Sequence, residues 1–135
     1  MVSFGIESGS EQTLKRIHKA VKLNIVLKSI ETCRKAGIKT QGTFILGFPW
    51  ETRQEILQTI DFAKKTTLDI AIFFSFTPFP GTHEWQHVPE ELKPKKISDW
   101  ETFICNNRVG RTWNQSLDEK AMKMIIMEAH WKFYL

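Results

Sequence analysis

The order of strand-like and helix-like segments is the feature that most restricts the fold of this chain. Residues 2–6 are typical of the end of a buried strand, and residues 11–21 carry apolar side chains at helical spacing. Residues 40–48 are rich in β-branched and aromatic side chains, and residues 70–77 are almost continuously apolar, which predicts a strand covered on both faces. Helical patterns separate these strands, so the sequence predicts an α/β fold with a parallel sheet.

Length and composition agree with a globular domain and argue against several kinds of partner. The chain has 135 residues, of which 41% are hydrophobic and 25% are charged, as in ordinary globular proteins. The net charge is +4, but the basic residues are dispersed, whereas a nucleic-acid-binding protein usually concentrates them in one stripe. No apolar run is long enough to span a membrane. We therefore expect a cytoplasmic protein with no membrane span and no nucleic-acid partner.

Few side chains stand at spacings that bind metal or attack a substrate. Cys33 and Cys105 are far apart, and neither has a second Cys or His nearby. His83 and His87 are four residues apart, which would suit a metal on a helix, but prolines flank this stretch. No nucleophile–base pair and no phosphate-binding glycine loop is recognisable. The sequence therefore predicts no catalytic residue and no metal ligand.

Three short stretches that follow the strands combine glycine or proline with small hydroxyl residues. They read GIESGS, GFPWET and FTPFPGT. Ligands of parallel sheets bind beyond the carboxyl ends of the strands, so the three stretches predict one ligand site. Glu7 would accept hydrogen bonds there, and Gly47, Phe48 and Pro49 would hold an aromatic base through main-chain bonds and stacking. The alternatives are that Glu7 pairs with a lysine or caps a helix, and that Gly47 begins an ordinary strand-to-helix turn.

Four stretches together carry a family resemblance: VSFGIESGSEQTLKRIHKAV, CRKAGIKTQGTFILGFPWETRQEI, FSFTPFPGT and HWKFYL. They resemble the second half of a radical SAM domain, and within that family the cobalamin-associated branch that includes anaerobic magnesium-protoporphyrin IX monomethyl ester cyclases. The resemblance implies a partial TIM-like barrel, the second half of a (βα)6 barrel with parallel strands and a long C-terminal helix. Residues 1–82 would supply its last three strands with their helices, and residues 83–135 a loop and a helical extension.

The resemblance also implies a chemistry. In that family a CxxxCxxC loop holds a 4Fe–4S cluster, S-adenosylmethionine binds the cluster, and a 5′-deoxyadenosyl radical then takes hydrogen from the substrate. An oxidoreductase that modifies a small molecule or cofactor precursor, such as a tetrapyrrole, is implied, with cobalamin open as a further cofactor. The sequence holds no CxxxCxxC, so we expect these residues to be part of a longer protein and to be inactive alone. The alternatives are a methylthiotransferase-type RNA-modifying enzyme and a non-catalytic half-barrel binding module.

Eight residues would contact S-adenosylmethionine if the resemblance holds. The match is imperfect at Thr43 and Trp50, where small residues are common in the family. Residues after the first strand would face the ribose or the methionine end, those of the second strand end would line the adenine largely through backbone groups, and those after the third would close the adenine side. In that order they are Glu7 and Ser8; Ile45, Gly47, Phe48 and Pro49; and Thr77 and Pro78.

The first strand also predicts a contact between copies of the chain. A half-barrel that begins at its fourth strand leaves the edge at residues 2–6 without a neighbour. Unpaired strand edges promote association, so we expect a homodimer that covers this edge.

Overall fold

A three-stranded parallel sheet forms the centre of the computed structural model, which describes residues 1–103 and 111–135. The strands lie in the order β1-β2-β3, and helices connect each strand to the next. This arrangement confirms the predicted α/β class and agrees with part of a TIM-like barrel. The elements are β1 (Val2–Glu7), α1 (Glu11–Arg16), α2 (Leu23–Lys35), β2 (Thr40–Leu46), α3 (Arg53–Lys65), β3 (Ile70–Ser75), two 3-10 turns (Glu84–His87 and Glu90–Leu92), α4 (Ile97–Phe103) and α5 (Glu119–Tyr134).

The core lies on one face of the sheet, against the helices. Phe44 of β2 and Phe73 of β3 are fully buried neighbours whose ring centroids are 5.2 Å apart. The helix α5 packs on β3 and α3 and buries the stripe that its sequence predicts, since Met122, Ile125 and Ala129 are almost inaccessible. An apolar stripe at helical spacing is thus what holds the C-terminal helix on the sheet.

The opposite face of the sheet is more open than the sequence predicts. Ile45 and Ile72 point to this face and are half-buried, and Phe74 is 48% exposed. The prediction that β3 is covered on both faces is therefore wrong for the described residues. A continuous apolar strand is equally compatible with one buried face and one open apolar face, because the side chains of a strand alternate between the two.

The outer edge of β3 is capped by a side chain of α5. The Tyr134 hydroxyl donates to the Ala71 carbonyl at 3.2 Å and accepts from the Ala71 N–H at 3.3 Å. Both are groups of an edge strand that would otherwise remain available for pairing. At the other edge, β1 pairs only with β2 among the described residues, and the homodimer through this edge stays a prediction.

The first helix is shorter than its apolar pattern. The sequence predicts a helix over residues 11–21, but α1 ends at Arg16 because His18 adopts a left-handed conformation with φ of 55°. The Lys19 N–H then donates to the Leu14 carbonyl at 2.9 Å, as in a Schellman motif. Glycine normally occupies the left-handed position of this motif and so indicates the end of a helix in the sequence. A histidine at this position gives no such indication.

The start of α3 follows the sequence closely. The Thr52 hydroxyl accepts from the Glu55 N–H at 3.3 Å, and the Glu55 carboxylate accepts from the Thr52 N–H at 2.8 Å. This reciprocal pair is a capping box, whose spacing is visible in the sequence. None of the helices in the part of the chain that the structure describes has the length and hydropathy needed to cross a bilayer.

Candidate functional site at the carboxyl edge of the sheet

Glu7 closes β1 in a strained conformation at the predicted edge. Its φ is 68°, and the pairing of β1 with β2 shifts register between Gly5 and Glu7. The Glu7 carboxylate accepts a hydrogen bond from Lys19 Nζ at 3.2 Å, and its side chain is 22% exposed. The lysine pairing that the sequence left open is therefore present. A β-bulge redirects side chains at a strand end, which explains why the carboxylate turns toward Lys19.

Ser8 is held inside the fold rather than presented at the edge. It is fully buried, and its hydroxyl lies 2.9 Å from the Thr59 hydroxyl of α3. The Ser8 Oγ also accepts from the Ser10 N–H at 3.1 Å, and Ser10 in turn caps α1 by accepting from the Thr13 N–H. Ser8 thus ties the end of β1 to α3, and no exposed hydroxyl is available for its predicted cofactor contact.

A buried carboxylate organises the turn after β2. Glu51 is inaccessible to solvent, and its Oε2 accepts from the Gly47 N–H at 2.8 Å and from the Phe48 N–H at 3.3 Å. Its Oε1 accepts from the Thr13 hydroxyl of α1 at 3.4 Å. Gly47 has φ of +81°, and a Cβ there would lie 2.4 Å from Met122 Cε, so only glycine fits this position without strain.

Burial raises the pKa of Glu51 from 4.5 to about 7. The hydrogen bonds from Gly47 and Phe48 oppose this effect because they favour the charged carboxylate, but desolvation is the larger contribution. Sequence reasoning missed Glu51, which resembles an ordinary residue at the start of a helix. The available signal was a carboxylate four residues after the glycine that ends a buried strand.

The C-terminal part of the chain holds the same turn from its other side. Asn114 Nδ2 donates to the carbonyls of Phe48 at 2.8 Å and Glu51 at 2.7 Å. The Gln115 N–H donates to the Pro49 carbonyl at 2.9 Å. Asn114 is itself buried, so these bonds are protected from water. The residues after β3 therefore belong to the architecture of this edge.

These contacts change the predicted role of the turn backbone. The N–H groups of Gly47 and Phe48, which we expected to hold an aromatic base, already bind the Glu51 carboxylate. A buried N–H has one proton to donate, so neither group is free for a ligand. The correction concerns these two donors, and the cofactor contacts predicted for Gly47, Phe48 and Pro49 through other atoms stay predictions.

The remaining predicted residues lie at the same edge with different exposure. Ile45 is half-buried on the open sheet face, next to Phe74 in the register. Thr77 is half-buried and Pro78 is buried directly after β3. The structure therefore brings all three predicted stretches to one edge, as expected for parallel strands, and the contacts of these residues with a cofactor stay predictions.

A cleft of about 770 Å³ opens beside this edge. Three of the predicted residues line it, namely Phe48, Pro49 and Pro78. Its aromatic wall is continuous, since the Phe48 ring lies 5.5 Å from the Trp50 ring and 5.0 Å from the Phe76 ring, measured between centroids. Volumes of this size are typical of sites for small organic molecules.

Metal-binding groups are sparse in the described part of the chain. No set of three or more His, Cys, Asp or Glu side chains within residues 1–103 and 111–135 is placed to hold a metal ion. Cys33 is a free, half-buried thiol on α2, and Cys105 lies outside the described residues. The described residues therefore offer no thiolate set of the kind that holds an iron–sulfur cluster.

Comparison with known proteins gives one family match and several relatives. Residues 1–63 match the Radical SAM superfamily. An uncharacterized methyltransferase of Pyrococcus horikoshii is 44% identical over 86 residues, which are 64% of this chain and 19% of the relative. The bacteriochlorophyllide d C-8(2)-methyltransferase of Chlorobaculum tepidum is 36% identical over 104 residues, 73% of this chain and 22% of the relative.

A third relative has a different substrate in its name. The tRNA-2-methylthio-N(6)-dimethylallyladenosine synthase of Thermotoga petrophila is 25% identical over 129 residues, 93% of this chain and 29% of the relative. This chain thus spans between 19% and 29% of the length of these three relatives. The matches support the superfamily that the sequence resembles, and they do not support the cyclase branch.

Proposed function

Starting from the radical SAM match of residues 1–63, we propose that this chain is the carboxyl-terminal part of a radical SAM barrel. The enzyme would use S-adenosylmethionine and a 4Fe–4S cluster to modify a small molecule. The observation that carries the proposal is the parallel order β1-β2-β3, which brings the three strand-end stretches to one edge. Ligands of parallel sheets bind at this edge. Residues outside these 135 would supply the cluster ligands, because the sequence holds no CxxxCxxC.

For the reaction, we infer methyl transfer rather than ring closure. The two relatives with the higher identities of 44% and 36% are both named as methyltransferases. The cyclase reaction, which the sequence resemblance suggested, finds no support among them. Methyl transfer would make the enzyme a transferase rather than the oxidoreductase that the sequence resemblance implied. Cobalamin and a cytoplasmic location stay predictions of the sequence.

The residues of this edge fit S-adenosylmethionine in part. Glu7 engages Lys19 through Oε1, so its second carboxylate oxygen suits a ribose hydroxyl. Ile45 offers an apolar contact for the adenine and Thr77 a half-buried hydroxyl, whereas the Ser8 hydroxyl is already bonded within the fold. When bound to the cluster, the cofactor would supply the radical, and the residues of this chain would bind and orient its adenosyl part.

The test replaces Glu7 by glutamine in the cluster-loaded protein that contains this chain. We expect Glu7→Gln to weaken S-adenosylmethionine binding about 10-fold, since a neutral amide oxygen accepts a weaker hydrogen bond than a carboxylate does. Release of 5′-deoxyadenosine should fall accordingly. Calorimetry measures the binding, and chromatography measures the product.

Glu31→Gln is the matched control, because Glu31 pairs with Arg34 at 3.0 Å on the exposed side of α2, away from the strand ends. It should leave both readouts unchanged. If the unaltered protein releases no 5′-deoxyadenosine, the proposed function is wrong. If only Glu7→Gln has no effect, the role of Glu7 is wrong and the function stands.

One observation favours RNA as a second candidate substrate. A shallow cleft of about 720 Å³ is lined by Lys15, His18, Lys19 and Lys22, which lie close together in the sequence, and by one acidic residue, Glu11, among the described residues. One relative is a tRNA-modifying synthase by name. Lysines grouped in this way can neutralise phosphates, although Lys19 already pairs with Glu7.

The salt dependence of tRNA binding separates the two candidates. Under the small-molecule proposal, we expect weak binding that the double variant Lys15→Ala/Lys22→Ala does not change. If RNA is the substrate, the same variant should lower the slope of log affinity against log salt by about two. Lys64→Ala/Lys65→Ala, at the far end of α3, is the control with the same loss of charge.

A further inference from the structure

The helix α5 carries a second apolar stripe, on the side that faces away from the sheet. We call this stripe the outer face of α5. Its members are more than half exposed, namely Met124 (61%), Met127 (53%), Trp131 (63%) and Tyr134 (55%). At about 100° per residue, Trp131 stands half a turn from Met122 of the buried stripe. A helix that is apolar on both sides is typically covered on both sides.

The spacing of the outer face is that of a coiled-coil seam. Its members follow one another at steps of three, four and three residues, which keeps them in one line for a second helix to pack against. In heptad letters, Met124 and Trp131 occupy a positions, and Met127 and Tyr134 occupy d positions. Lys120 occupies the preceding d position, so the seam begins at Met124 and is short.

Two charged residues flank the seam on opposite sides. Lys123 stands at the g position before Met124, and Glu128 stands at the e position after Met127. Lys123 is exposed and forms no ion pair among the residues that the structure describes. Glu128 pairs with Lys132 through Oε1 at 2.7 Å, and in the described part of the chain its Oε2 forms no ion pair. A helix packed on the seam would therefore meet a cation on one side and an anion on the other.

A second copy of α5 matches these charges in one direction. In a parallel pair, a g position of one helix faces the e position five residues later in the other, so Lys123 of each copy would meet Glu128 of the other. In an antiparallel pair, g positions face g positions and e positions face e positions. The g positions of α5 hold Lys123 and His130, and its e positions hold Ala121, Glu128 and Leu135. An antiparallel pair would thus bring no opposite charges together.

We propose that two copies of this chain form a parallel dimer through the outer face of α5, with Met124, Met127 and Trp131 along the seam and two Lys123–Glu128 pairs beside it. The sheet and α3 lie behind the helix in each copy, because α5 packs on them through its buried stripe. The short seam implies an interface below about 1,200 Å² and a Kd of about 10–100 μM. This surface is separate from the β1 edge, through which a homodimer stays a prediction.

Met127→Gln tests the seam by sedimentation equilibrium. The substitution places a polar side chain at the seam in both copies, so we expect the Kd of the dimer to rise about 10-fold. Ile25→Gln is the matched control, since Ile25 lies on α2 and is 54% exposed. It should leave the Kd unchanged. Thermal unfolding of each variant shows that it is folded before association is compared.

Lys123→Glu tests the direction of the two helices. In a parallel dimer it brings like charges together beside the seam, so we expect the Kd to rise about 5-fold. The double variant Lys123→Glu/Glu128→Lys exchanges the two charges and should restore most of the lost affinity. Lys28→Glu, at an exposed position of α2, is the control with the same change of charge.

Four results would overturn the proposal. The first is a chain that stays monomeric up to about 500 μM. The second is a dimer that Met127→Gln does not weaken, which would place the contact elsewhere, for example at the β1 edge. The third is a dimer that Lys123→Glu weakens no more than Lys28→Glu does, which would exclude the parallel direction. The fourth is a monomeric longer protein containing this chain, since its other residues would then cover the outer face.

The dimer and the proposed function are tested separately. Sedimentation of these variants involves neither S-adenosylmethionine nor a cluster, and the outer face of α5 contains none of the residues predicted to hold the cofactor. A failure of the dimer therefore leaves the proposed radical chemistry untouched.

Discussion

At pH 5 we expect the free energy of unfolding of the Glu51→Ala variant to be about 2–4 kcal/mol lower than that of the unaltered chain, because two buried N–H groups lose their acceptor. These are the N–H groups of Gly47 and Phe48, both of which donate to Glu51 Oε2. The Thr13 hydroxyl loses a partner as well, so the contact between α1 and the turn weakens. Urea unfolding followed by circular dichroism measures the difference.

Glu51→Gln is the matched variant because it keeps the shape and the acceptor oxygen. At pH 5 Glu51 is mostly protonated in the fold, since its pKa is raised to about 7. A glutamine side chain imitates this neutral form, with its amide donating toward Thr13. We therefore expect Glu51→Gln to be nearly as stable as the unaltered chain at pH 5. An equally large loss in both variants would show that the hydrogen bonds are not the cause.

Glu51 also makes the free energy of unfolding depend on pH, and its contribution falls as pH rises. The folded chain holds the Glu51 proton up to pH of about 7, whereas the unfolded chain releases it near the ordinary pKa of 4.5. The folded state thus binds more protons at Glu51 between these values, so the contribution of Glu51 to stability is largest below 4.5 and falls as pH rises to 7. The loss amounts to about 3 kcal/mol over this window, at about 1.4 kcal/mol for each pH unit.

Glu51→Gln should remove this slope. Between pH 4.5 and 7 the unfolding free energy of the variant should change about 3 kcal/mol less than that of the unaltered chain. Other groups titrate equally in both proteins, so the difference between the two profiles isolates Glu51. Parallel profiles would contradict the burial that raises its pKa.

The order of elements was predictable because its signals are local. Thr52 and Glu55 form the capping box that their spacing predicts, and Met122 and Ala129 lie on the stripe that their spacing predicts. The end of α1 was not predictable in this way. His18 takes a left-handed conformation that glycine normally adopts, and the helical spacing of apolar residues continues past it to residue 21.

The candidate site was predictable only in outline, for a physical reason. Parallel strands bring their carboxyl ends together whatever their sequence, so the position of the edge follows from the strand order. The partners of each group at the edge depend on distant parts of the chain. Asn114 reaches the Phe48 carbonyl from 66 residues away, and Ser8 reaches Thr59 across 51 residues. Spacing within a motif carries no information about such contacts.

Gly9→Ala is expected to destabilise the fold strongly. A Cβ at Gly9 would lie 2.4 Å from Phe62 Cβ, 2.9 Å from Thr59 Cα and 3.0 Å from the Gln58 carbonyl oxygen. Two of these atoms are backbone atoms of α3 and the third is fixed to it, so no side-chain rotation relieves the contact. The helix must move away from the end of β1, which we expect to cost about 3 kcal/mol.

This displacement would also act on the candidate site. The Gly9 N–H donates to the Thr59 hydroxyl at 3.0 Å, and Ser8 lies 2.9 Å from the same oxygen. When α3 moves outward, both contacts lengthen and the end of β1 loses its attachment beside Glu7. We therefore expect faster proteolysis within residues 7–10 of the variant, besides the loss of unfolding free energy.

Gly37→Ala separates the steric effect from the general effect of replacing glycine. Gly37 follows α2 with φ of +70°, and a Cβ there would have no neighbour within 4 Å in the part of the chain that the structure describes. The variant should lose about 1 kcal/mol through backbone strain alone. Both substitutions restrict the unfolded chain equally, so the difference between them measures the contact with α3. If Gly9→Ala is no less stable than Gly37→Ala, α3 does not pack on Gly9 as closely as the structure places it.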